Sequence, residues 1–218
     1  SGITIRSASD WDACAGTHAP FLSHVFLAAL EQSGSVGPGT GWQASPIVIE
    51  DAHAAPLGVL PAYFKGHSQG EYVFDQAWAD AWQRAGGRYY PKLQIAVPFT
   101  PATGRRLLLR DDAALAIAPA LIAAAEQLVV QQKLGSAHAT FIAPQEVPLF
   151  EAAGWLIRED SQFHFENDGY SDFDDFLARL SSAKRKTLRK ERQRARQGLE
   201  IVHLTGDAIR PEHWDAFW

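Results

Sequence analysis

The stretch YYPKLQIAVPFTPATG at residues 89–104 contains a short apolar run followed by a segment whose prolines and glycine cannot continue a strand. Leu93–Val97 has the composition of a buried strand. Two prolines and one glycine follow within Pro98–Gly104, and these residue types interrupt regular structure. We therefore predict a central strand whose loop leads towards the next helix.

A hairpin is predicted on the N-terminal side of this strand. The β-rich runs Ala44–Glu50 and Leu57–Lys65 are separated by Asp51–Pro56, whose residues are mostly polar or small. Two such runs with a short link are typical of antiparallel strands. Pro61 lies inside the second run, and because proline lacks a backbone N–H, it indicates an edge strand or a bulge there.

The other N-terminal elements are predicted from hydrophobic spacing. Ile3–Arg6 alternates like a short strand, and Pro20–Glu31 has apolar residues at helical spacing. Asp75–Ala85 predicts a short amphipathic helix. Its Trp78 and Trp82 lie one turn apart, and we expect both rings to belong to the core.

On the C-terminal side the pattern alternates between helix and strand. The Ala-rich run Asp111–Lys133 predicts a helix with Pro119 at its start or at a kink and Gly135 as its C-terminal cap. The next predicted elements are a strand, a short helix closed by Gly154, and a strand-like run: Ala137–Ala143, Gln145–Ala153 and Trp155–Phe165.

These elements predict an α/β fold of the α+β kind, in which helices flank a mixed, mainly antiparallel sheet. The hairpin requires antiparallel pairing, and strands joined through helices require some parallel pairing. We expect residues 1–167 to form this first domain. Leu93–Val97 should lie centrally and diverge from Ala137–Ala143, which leaves a gap between the two strands.

Residues 168–218 are predicted to open a second domain. Ser171 and Asp174 form a capping-box pattern at the start of one helix. Ser182–Gln197 predicts a longer helix that is polar on nearly all sides. The last two predicted elements are a strand and a helix, Leu199–Leu204 and Pro211–Trp218.

Positive charge is concentrated in the longer helix. Lys184–Arg196 has eight Lys or Arg side chains and one Glu, although the chain has a formal net charge of −5. Like charges so close together repel, and ordinary solvated helices intersperse acidic residues. The helix is therefore predicted to bind phosphate through Lys184, Arg185, Lys186, Arg189, Lys190 and Arg192. The alternative is a solvated face that acidic residues elsewhere in the fold neutralise.

Composition excludes several classes of protein. With 46% apolar and 21% charged residues among 218, the chain is typical of soluble globular proteins. The single Cys14 cannot form an intrachain disulfide, and no Cys/His cluster has zinc spacing, so no metal site is predicted. No apolar run reaches the about 20 residues that a membrane span needs. A cytoplasmic location is expected.

Six separated runs identify a family: FLSH at 21–24, GHSQGEYVFD at 66–75, YYPKL at 89–93, AVPFTP at 96–101, QFH at 162–164 and SSAKRK at 181–186. In this order they resemble the FemAB-like family of predicted N-acyltransferases, which belongs to the GNAT superfamily. The resemblance implies two tandem GNAT-like halves with the active site between them, and cell-wall precursors as acceptors. It also implies that the C-terminal half is a missing partner and that this chain alone is inactive.

The resemblance places the donor at the loop after the central strand. GNAT enzymes bind a donor pyrophosphate there through backbone N–H groups. The matching residues in this chain are Thr100, Thr103, Gly104 and Arg105. With one glycine instead of several, the loop departs from the usual CoA-binding pattern. The implied donor is an acyl-CoA or an aminoacyl-tRNA, and no covalently bound cofactor is expected.

Candidate catalytic residues come from the same motifs. Glu71 can deprotonate an amine and Tyr90 can protonate a leaving group, although both also fit structural roles. Ser68 lies within a G-x-S-x-G pattern at Gly66–Gly70, but the strand-turn-helix setting of a serine hydrolase is not predicted around it. N-acyl transfer to an amine is the leading prediction. The alternatives are a non-catalytic recognition module, which binds an anion through the basic helix, and a serine hydrolase.

Overall fold

The computed structural model describes residues 2–3 and 6–217, and within them it has eight α-helices and seven strands in two sheets. In chain order these are α1 Ala8–Ala15, α2 His24–Gln32, β1 Trp42–Ala44, β2 Ile47–Glu50, β3 Pro56–Leu60, β4 Ala62–Lys65, α3 Gln76–Arg84, β5 Lys92–Ile95, β6 Leu108–Leu109, α4 Ile117–Gln131, β7 Ala137–Ala139, α5 Val147–Ala152, α6 Phe173–Ala178, α7 Ser182–Arg196 and α8 Pro211–Phe217. All strand pairs except β5 with β7 are antiparallel. The predicted mixed, mainly antiparallel α+β fold is confirmed.

The predicted hairpin contributes to both sheets. Strands β2 and β3 pair with each other, whereas β1 and β4 pair in the second sheet, whose order is β1-β4-β5-β7. Pro61 lies at the break between β3 and β4, as its missing N–H leads us to expect. The Ser45 amide donates to the Ala62 carbonyl at 2.8 Å across this break. The two arms of the hairpin therefore stay hydrogen-bonded where the chain passes from the three-stranded sheet, with β2 and β3, to the four-stranded sheet, with β1 and β4.

The four-stranded sheet has an apolar face that packs on helix α4. Leu93 and Ile95 of β5 are fully buried in one cluster with Leu121 and Ile122 of α4. Complete burial of such a side chain contributes about 1.5–3 kcal/mol each. The period-2 alternation of β5 thus fixes one side of the sheet on α4.

The opposite face of the same sheet is polar, which is unusual for a buried surface. Lys92 and Gln94 alternate with Leu93 and Ile95, so they lie on this second face. Lys65 lies directly opposite Lys92 in the antiparallel register. All three polar side chains are completely buried. Buried lysines are rare without partners, so this face is where a functional site is to be sought.

A separate core covers the three-stranded sheet. The Trp11 and Cys14 side chains of α1 pack with Val59 of β3 and Leu108 of β6. The Trp11 indole N–H donates to the Leu22 carbonyl at 2.8 Å, so its one polar atom is satisfied.

Two predicted features of α3 and α4 are wrong. Trp78 and Trp82 are 63% and 55% exposed, because α3 is buried through the small Ala79 instead. Gly135 does not cap α4: the helix ends at Gln131 with Gln132 as its C-cap, and Lys133 takes the left-handed conformation with φ 52°. Gly135 lies further along, against the Arg88 and Tyr89 carbonyls.

Three other predictions need correction or fall outside the description. Trp155–Phe165 and Leu199–Leu204 form no strand in the described part of the chain, because a β-type sequence without a pairing neighbour has no ladder to join. The cap of α6 is Asp172, whose carboxylate accepts the Asp175 amide at 2.8 Å, one residue after the predicted Ser171. The strand predicted at Ile3–Arg6 includes residues 4 and 5, which lie outside the described residues.

The chain divides into two compact units, Ser1–Glu159 and Asp160–Trp218. The predicted boundary between residues 167 and 168 stays a prediction. In the second unit, Phe165, Tyr170, Phe173 and Phe176 form an aromatic cluster around α6. Within residues 2–3 and 6–217, none of the helices has the length and apolar character to cross a bilayer.

Replacing Gly135 with alanine will destabilise the first unit. A Cβ there would lie 2.6 Å from the Tyr89 carbonyl oxygen and closer still to that of Arg88, and the amide of residue 135 must keep its 2.8 Å bond to the Pro91 carbonyl. Overpacking against backbone costs about 1–3 kcal/mol. Thermal unfolding should show a melting temperature lower by about 2–4 °C per kcal/mol.

Gly66→Ala is the matched control for this prediction. A Cβ at Gly66 meets no atom within 4 Å. Its melting temperature should stay within about 2 °C of the unsubstituted protein, as expected for a surface change of under about 0.5 kcal/mol. Equal shifts in the two variants would contradict the close approach at Gly135.

Candidate functional site

Lys92 is the centre of a buried polar cluster on the second face of the sheet. Its Nζ donates to Ser68 Oγ at 2.9 Å, to Glu71 Oε2 at 2.7 Å and to Asp75 Oδ2 at 2.7 Å. An ammonium group has three N–H donors, so these contacts use all of them. Lys92 therefore fixes three side chains of the preceding loop around one charge.

The loop at residues 66–75 lies over this face because its turns are specific. Gly70 takes φ +78°, and a Cβ there would lie 2.7 Å from the Phe99 ring, so glycine is required. The Phe99 amide donates to the Gly70 carbonyl at 3.2 Å, and Lys65 Nζ donates to the Gln69 carbonyl at 3.1 Å. The loop is thus tied to a neighbouring loop and to strand β4.

The second half of this loop directs acidic groups inward and aromatic groups outward. Glu71 and Asp75 are buried, whereas Tyr72 and Phe74 between them are exposed. Tyr72 and Phe74 have φ values of 59° and 48°, in the left-handed region that bulky residues rarely occupy. Backbone strain of this kind is concentrated at functional sites.

Two tyrosines complete the cluster. The Tyr89 hydroxyl donates to Asp75 Oδ2 at 2.7 Å, and the Tyr90 hydroxyl lies 2.7 Å from Ser68 Oγ. Their rings meet edge to face with centroids 4.9 Å apart. Tyr89 is buried and Tyr90 is half-buried, so the Tyr90 hydroxyl connects the cluster to a more accessible surface.

The two carboxylates differ in basicity although they share one lysine. Burial raises the pKa of Glu71, and the charge of Lys92 offsets only part of that rise. Burial also acts against ionisation of Asp75, but hydrogen bonds from Lys92 and Tyr89 outweigh it and lower the pKa of Asp75 to about 2. Glu71 is therefore the better proton acceptor, and Asp75 stays ionised.

Burial also shifts the pKa of three groups around the cluster. Burial lowers the pKa of Lys65 to about 8, and its Nζ lies 3.6 Å from the centroid of the Trp42 ring. Burial lowers the pKa of His138 to about 4, so its imidazole is neutral at physiological pH. Burial and the neighbouring Asp75 raise the pKa of Tyr89, so its hydroxyl keeps its proton.

Three buried acceptor oxygens in this cluster have no hydrogen-bond partner among the described residues. They are Glu71 Oε1, Asp75 Oδ1 and Gln94 Oε1. The nitrogen of the same Gln94 amide group is satisfied, since Nε2 donates to Thr140 Oγ1 at 3.1 Å. Each unsatisfied buried acceptor costs about 1–3 kcal/mol. A group with several N–H donors, such as a primary amine, is the natural complement.

The predicted donor loop is bonded to the protein itself. Thr100 Oγ1 donates to the Pro98 carbonyl at 3.0 Å, the Gly104 amide to the Phe141 carbonyl at 2.9 Å, and Arg105 Nη2 to the Ala15 carbonyl at 2.6 Å. Thr103 is exposed. The structure thus brings Glu71 and Tyr90 into one network and leaves Thr100–Arg105 on a separate loop. Donor binding by that loop stays a prediction.

Buried Arg106 and Glu146 make hydrogen bonds that hold the loop at residues 98–106 in shape. The Arg106 guanidinium donates to the carbonyls of Thr140 at 3.1 Å and Ala102 at 2.9 Å. The Glu146 carboxylate accepts the amides of Arg106 and Leu107. These bonds tie the loop to the chain after β7 and to the segment before α5.

The predicted divergence of two strands occurs, but the space is occupied. Strands β5 and β7 pair from Leu93 to Ile95, and the Thr140 amide donates to the Ile95 carbonyl at 3.1 Å. After Thr140 the chain leaves β5, and Ile142 forms a parallel bridge with Gly104 instead. The loop at residues 98–106 therefore lies beside the chain after β7, where these strands diverge.

The surroundings of Ser68 differ from a hydrolase nucleophile elbow. Strand β4 ends at Lys65, and α3 begins only at Gln76, so no helix follows the serine directly. Lys92, the amine nearest to Ser68, donates to two carboxylates and so cannot accept a proton. Ser68 is placed as a hydrogen-bonding member of the cluster.

The basic helix is α7 in the second unit, and it lies where it was predicted. Arg185 Nη2 donates to the Leu180 carbonyl at 3.1 Å, and Arg189 Nη2 lies 3.0 Å from Asp174 Oδ1. The guanidinium carbon of Arg192 lies 3.9 Å from the Phe173 ring centroid. Lys184, Lys186 and Lys190 are exposed.

Sequence reasoning missed the residue at the centre of the site. Lys92, Asp75 and Gln94 were not predicted as site residues, because a lysine beside an apolar run is usually the exposed end of a strand. The signal that could have revealed them is the alternation of side chains along a strand. Lys92 and Gln94 share one face of β5, opposite Leu93 and Ile95.

Comparison with known proteins identifies the family. A family model described as peptidoglycan biosynthesis/recognition matches residues 3–218. Comparison with curated proteins gave no match, and comparison with solved structures gave none either. Because the family match spans both compact units, including the Lys92 cluster and the basic helix, this chain belongs to the FemAB-like family.

Proposed function

We propose that the Lys92 cluster is the acceptor site of an N-acyltransferase that transfers an acyl or aminoacyl group to a primary amine. The observation that carries this proposal is the set of unpartnered, buried acceptor oxygens on Glu71, Asp75 and Gln94. A primary ammonium offers three N–H donors to such a set. The family description, peptidoglycan biosynthesis/recognition, supports an amine on a cell-wall precursor.

The proposed reaction begins when the bound ammonium gives one proton to Glu71 Oε1. The burial that raises the pKa of Glu71 makes this transfer less unfavourable. The neutral nitrogen then attacks the acyl carbon, so a C–N bond forms and the C–O or C–S bond to the donor breaks. The nitrogen then loses its second proton, which passes through the Tyr90 hydroxyl to the leaving oxygen or sulfur, and Glu71 releases the first proton to solvent.

Lys92 and Asp75 have supporting roles in this proposal. Lys92 holds Glu71 Oε2 at 2.7 Å and so orients the carboxylate with Oε1 available to the substrate. Asp75 stays ionised and compensates the charge of Lys92. Positioning of this kind supplies much of the rate of reactions whose donor is already activated.

A recognition module is the second candidate, and one observation favours it. The donors of Thr100, Gly104 and Arg105 are used within the protein, which is a poor arrangement for binding a donor phosphate. In that case the cluster binds an amine and no transfer follows.

A label-transfer experiment tests the proposal. The protein, produced together with the C-terminal half that the resemblance implies, is incubated with carbon-14-labelled aminoacyl-tRNA or acetyl-CoA and a muramyl pentapeptide whose lysine has a free amine, and the same form of the protein is used for every rate measurement below. We expect label in the peptide, and none in the same peptide with its lysine acetylated. Peptide binding by calorimetry without label transfer would support recognition, and absence of both would overturn the proposed acceptor site.

A further inference from the structure

A row of three buried side chains crosses the polar face of the four-stranded sheet. In the antiparallel register Trp42 of β1 lies opposite Lys65 of β4, and Lys65 lies opposite Lys92 of β5. Residues opposite each other share one face, and neighbouring strands are about 4.8 Å apart. All three side chains are buried. Lys65 and Trp42 therefore lie directly beside the Lys92 cluster, but they take no part in the hydrogen bonds of Lys92 Nζ.

Lys65 has fewer hydrogen-bond partners than a buried ammonium group needs. Among residues 2–3 and 6–217 its Nζ has one acceptor, the Gln69 carbonyl at 3.1 Å, and no carboxylate at ion-pair distance. The face of the Trp42 ring, whose centroid lies 3.6 Å from Nζ, attracts the charge but supplies no oxygen atom. An ammonium group has three N–H donors. Lys65 can therefore donate to a further acceptor.

Trp42 has an unused donor on the same side of the site. Its Nε1 is buried and has no hydrogen-bond partner among the described residues. The ring is held by contacts with the Tyr63 and Phe99 rings, at centroid distances of 5.4 and 5.5 Å. A Cβ at Gly70 would lie 3.2 Å from Nε1, so this N–H lies at the turn that leads into Glu71. Buried indole N–H groups usually have a partner, and this one is available to an oxygen atom of a ligand.

The site therefore has two unsatisfied sets of opposite kind. The acceptor oxygens of Glu71, Asp75 and Gln94 suit an ammonium group. The N–H pair, which is Lys65 Nζ and Trp42 Nε1, suits a carboxylate, because charge-assisted hydrogen bonds to an anion are the strong ones. A ligand with both an ammonium and a carboxylate satisfies both sets.

The charge balance of the site favours the same ligand. The positive charges of Lys65 and Lys92 equal in number the negative charges of Glu71 and Asp75, so the buried side-chain charges cancel. A simple ammonium ion would add one uncompensated charge to a buried site, and burial of an unpaired charge is costly. A zwitterion adds no net charge.

The spacing of the row limits the distance between the two groups of the ligand. Lys65 and Lys92 are one strand apart, and their Nζ atoms bond to Gln69 and Glu71 of the same loop. This separation suits an ammonium and a carboxylate on one carbon atom. We infer that the site binds the head group of an α-amino acid, with its ammonium on the acceptor oxygens and its carboxylate on the N–H pair. The inference rests on the proposed acceptor site and names the class of amine that it takes.

Calorimetric titration of the whole chain with alanine and three analogues tests the inference. Alanine, used as both enantiomers, has the two groups on one carbon. Alaninamide replaces the carboxylate with a neutral amide of the same shape, isopropylamine replaces it with a methyl group, and propionate lacks the amine. We expect alanine to bind about 10–100-fold more tightly than alaninamide, the range for a hydrogen bond to a charged group. Equal affinities for these two, or no binding of either enantiomer at millimolar concentration, would overturn the inference.

Two variants test the N–H pair. Lys65→Met removes the charge and should lower the affinity for alanine to that for alaninamide. Its melting temperature should not fall, because the ammonium has one hydrogen bond and the exposed Gln69 can bond to water instead. Trp42→Phe keeps an aromatic ring beside Lys65 and removes the N–H, so it should reduce the ratio of the two affinities by a smaller factor. A ratio that is unchanged in both variants would overturn the inference.

Trp11→Phe is the matched control for Trp42→Phe. The Trp11 N–H donates to the Leu22 carbonyl in the separate core around α1. Its loss should lower the melting temperature and leave the ratio of affinities for alanine and alaninamide unchanged. An equal loss of that ratio in Trp11→Phe would assign the effect to general destabilisation and overturn the inference.

Label transfer distinguishes failure of this inference from failure of the proposed function. The lysine of the muramyl pentapeptide has no carboxylate beside its side-chain amine, so it uses only the acceptor oxygens. Label in that peptide, together with equal affinities for alanine and alaninamide, would retain N-acyl transfer and overturn the head-group inference. Tighter binding of alanine without label in the peptide would support the head-group inference and count against transfer.

Discussion

Lys92→Met will lower the free energy of unfolding by about 3–5 kcal/mol, the usual cost of removing one partner of a buried ion pair. The substitution leaves Glu71 and Asp75 buried beside each other without the ammonium that both contact at 2.7 Å. In a protein of this size the melting temperature should fall by about 2–4 °C for each kcal/mol. Urea denaturation and calorimetry measure the effect.

The pH dependence of the free energy of unfolding shows whether Lys92→Met destabilises the protein through its lost charge or through its lost packing. Without Lys92, burial and mutual repulsion raise the folded-state pKa of both carboxylates above their unfolded values. Groups of that kind destabilise the folded protein above their folded-state pKa, and the penalty disappears as pH falls through it. The difference between Lys92→Met and the unsubstituted protein should therefore be larger at pH 7 than at pH 4.

A compensated variant checks the same explanation. K92M/E71Q/D75N removes the cation together with both negative charges, and it should recover part of the stability that K92M alone loses. Coupling between sites in contact is expected to be about 0.5–3 kcal/mol. No recovery in the triple variant, or a loss in K92M that does not change with pH, would show that the shape of the lysine matters and its charge does not.

Glu71→Gln will lower the rate of acyl transfer by about 10²–10⁴-fold, the range for loss of a general base. Glutamine has the same shape, and its amide oxygen can still accept from Lys92 Nζ, where Oε2 lies at 2.7 Å. What it loses is the ability of the second oxygen to take a proton. The measurement is single-turnover label transfer at saturating peptide, which isolates the chemical step from binding.

Asp75→Asn is the matched control, because it makes the same change on the other carboxylate of Lys92. The pKa of Asp75 is held at about 2 and its Oδ2 is occupied by Lys92 and Tyr89, so it is a poor base. Its substitution should reduce the rate far less. Equal losses in the two variants would assign the effect to the charge balance of the cluster and remove Glu71 from the role of base.

The pH–rate profile of the unsubstituted protein is an independent test of Glu71 as the base. Glu71 must be ionised to accept a proton, and burial raises its pKa above the ordinary value of 4.5. The rate should therefore fall as pH drops, with a midpoint above 4.5. A profile that is flat through this region would contradict a carboxylate base.

The sequence alone determined the elements that have strong local signals. The apolar run of β5, the Ala-rich helix α4 and the basic helix α7 lie close to their predicted positions, because hydrophobic period and charge pattern are properties of neighbouring residues. Glu71 and Tyr90 were predicted as candidates from the motifs that contain them. The family was predicted from the order of those motifs, and the match over residues 3–218 confirms it.

Tertiary structure decided what each element contacts. The sequence of α3 resembles a core helix, yet its tryptophans are exposed because burial depends on which distant segment lies beside each face. Trp155–Phe165 and Leu199–Leu204 have β-type sequences but no pairing partner in the described chain, and a strand requires a partner. The Lys92 site was hidden for the same reason: the side chains that Lys92 contacts lie up to 24 residues from it along the chain, and only the pairing of β4 with β5 and the turn at Gly70 bring their charges together.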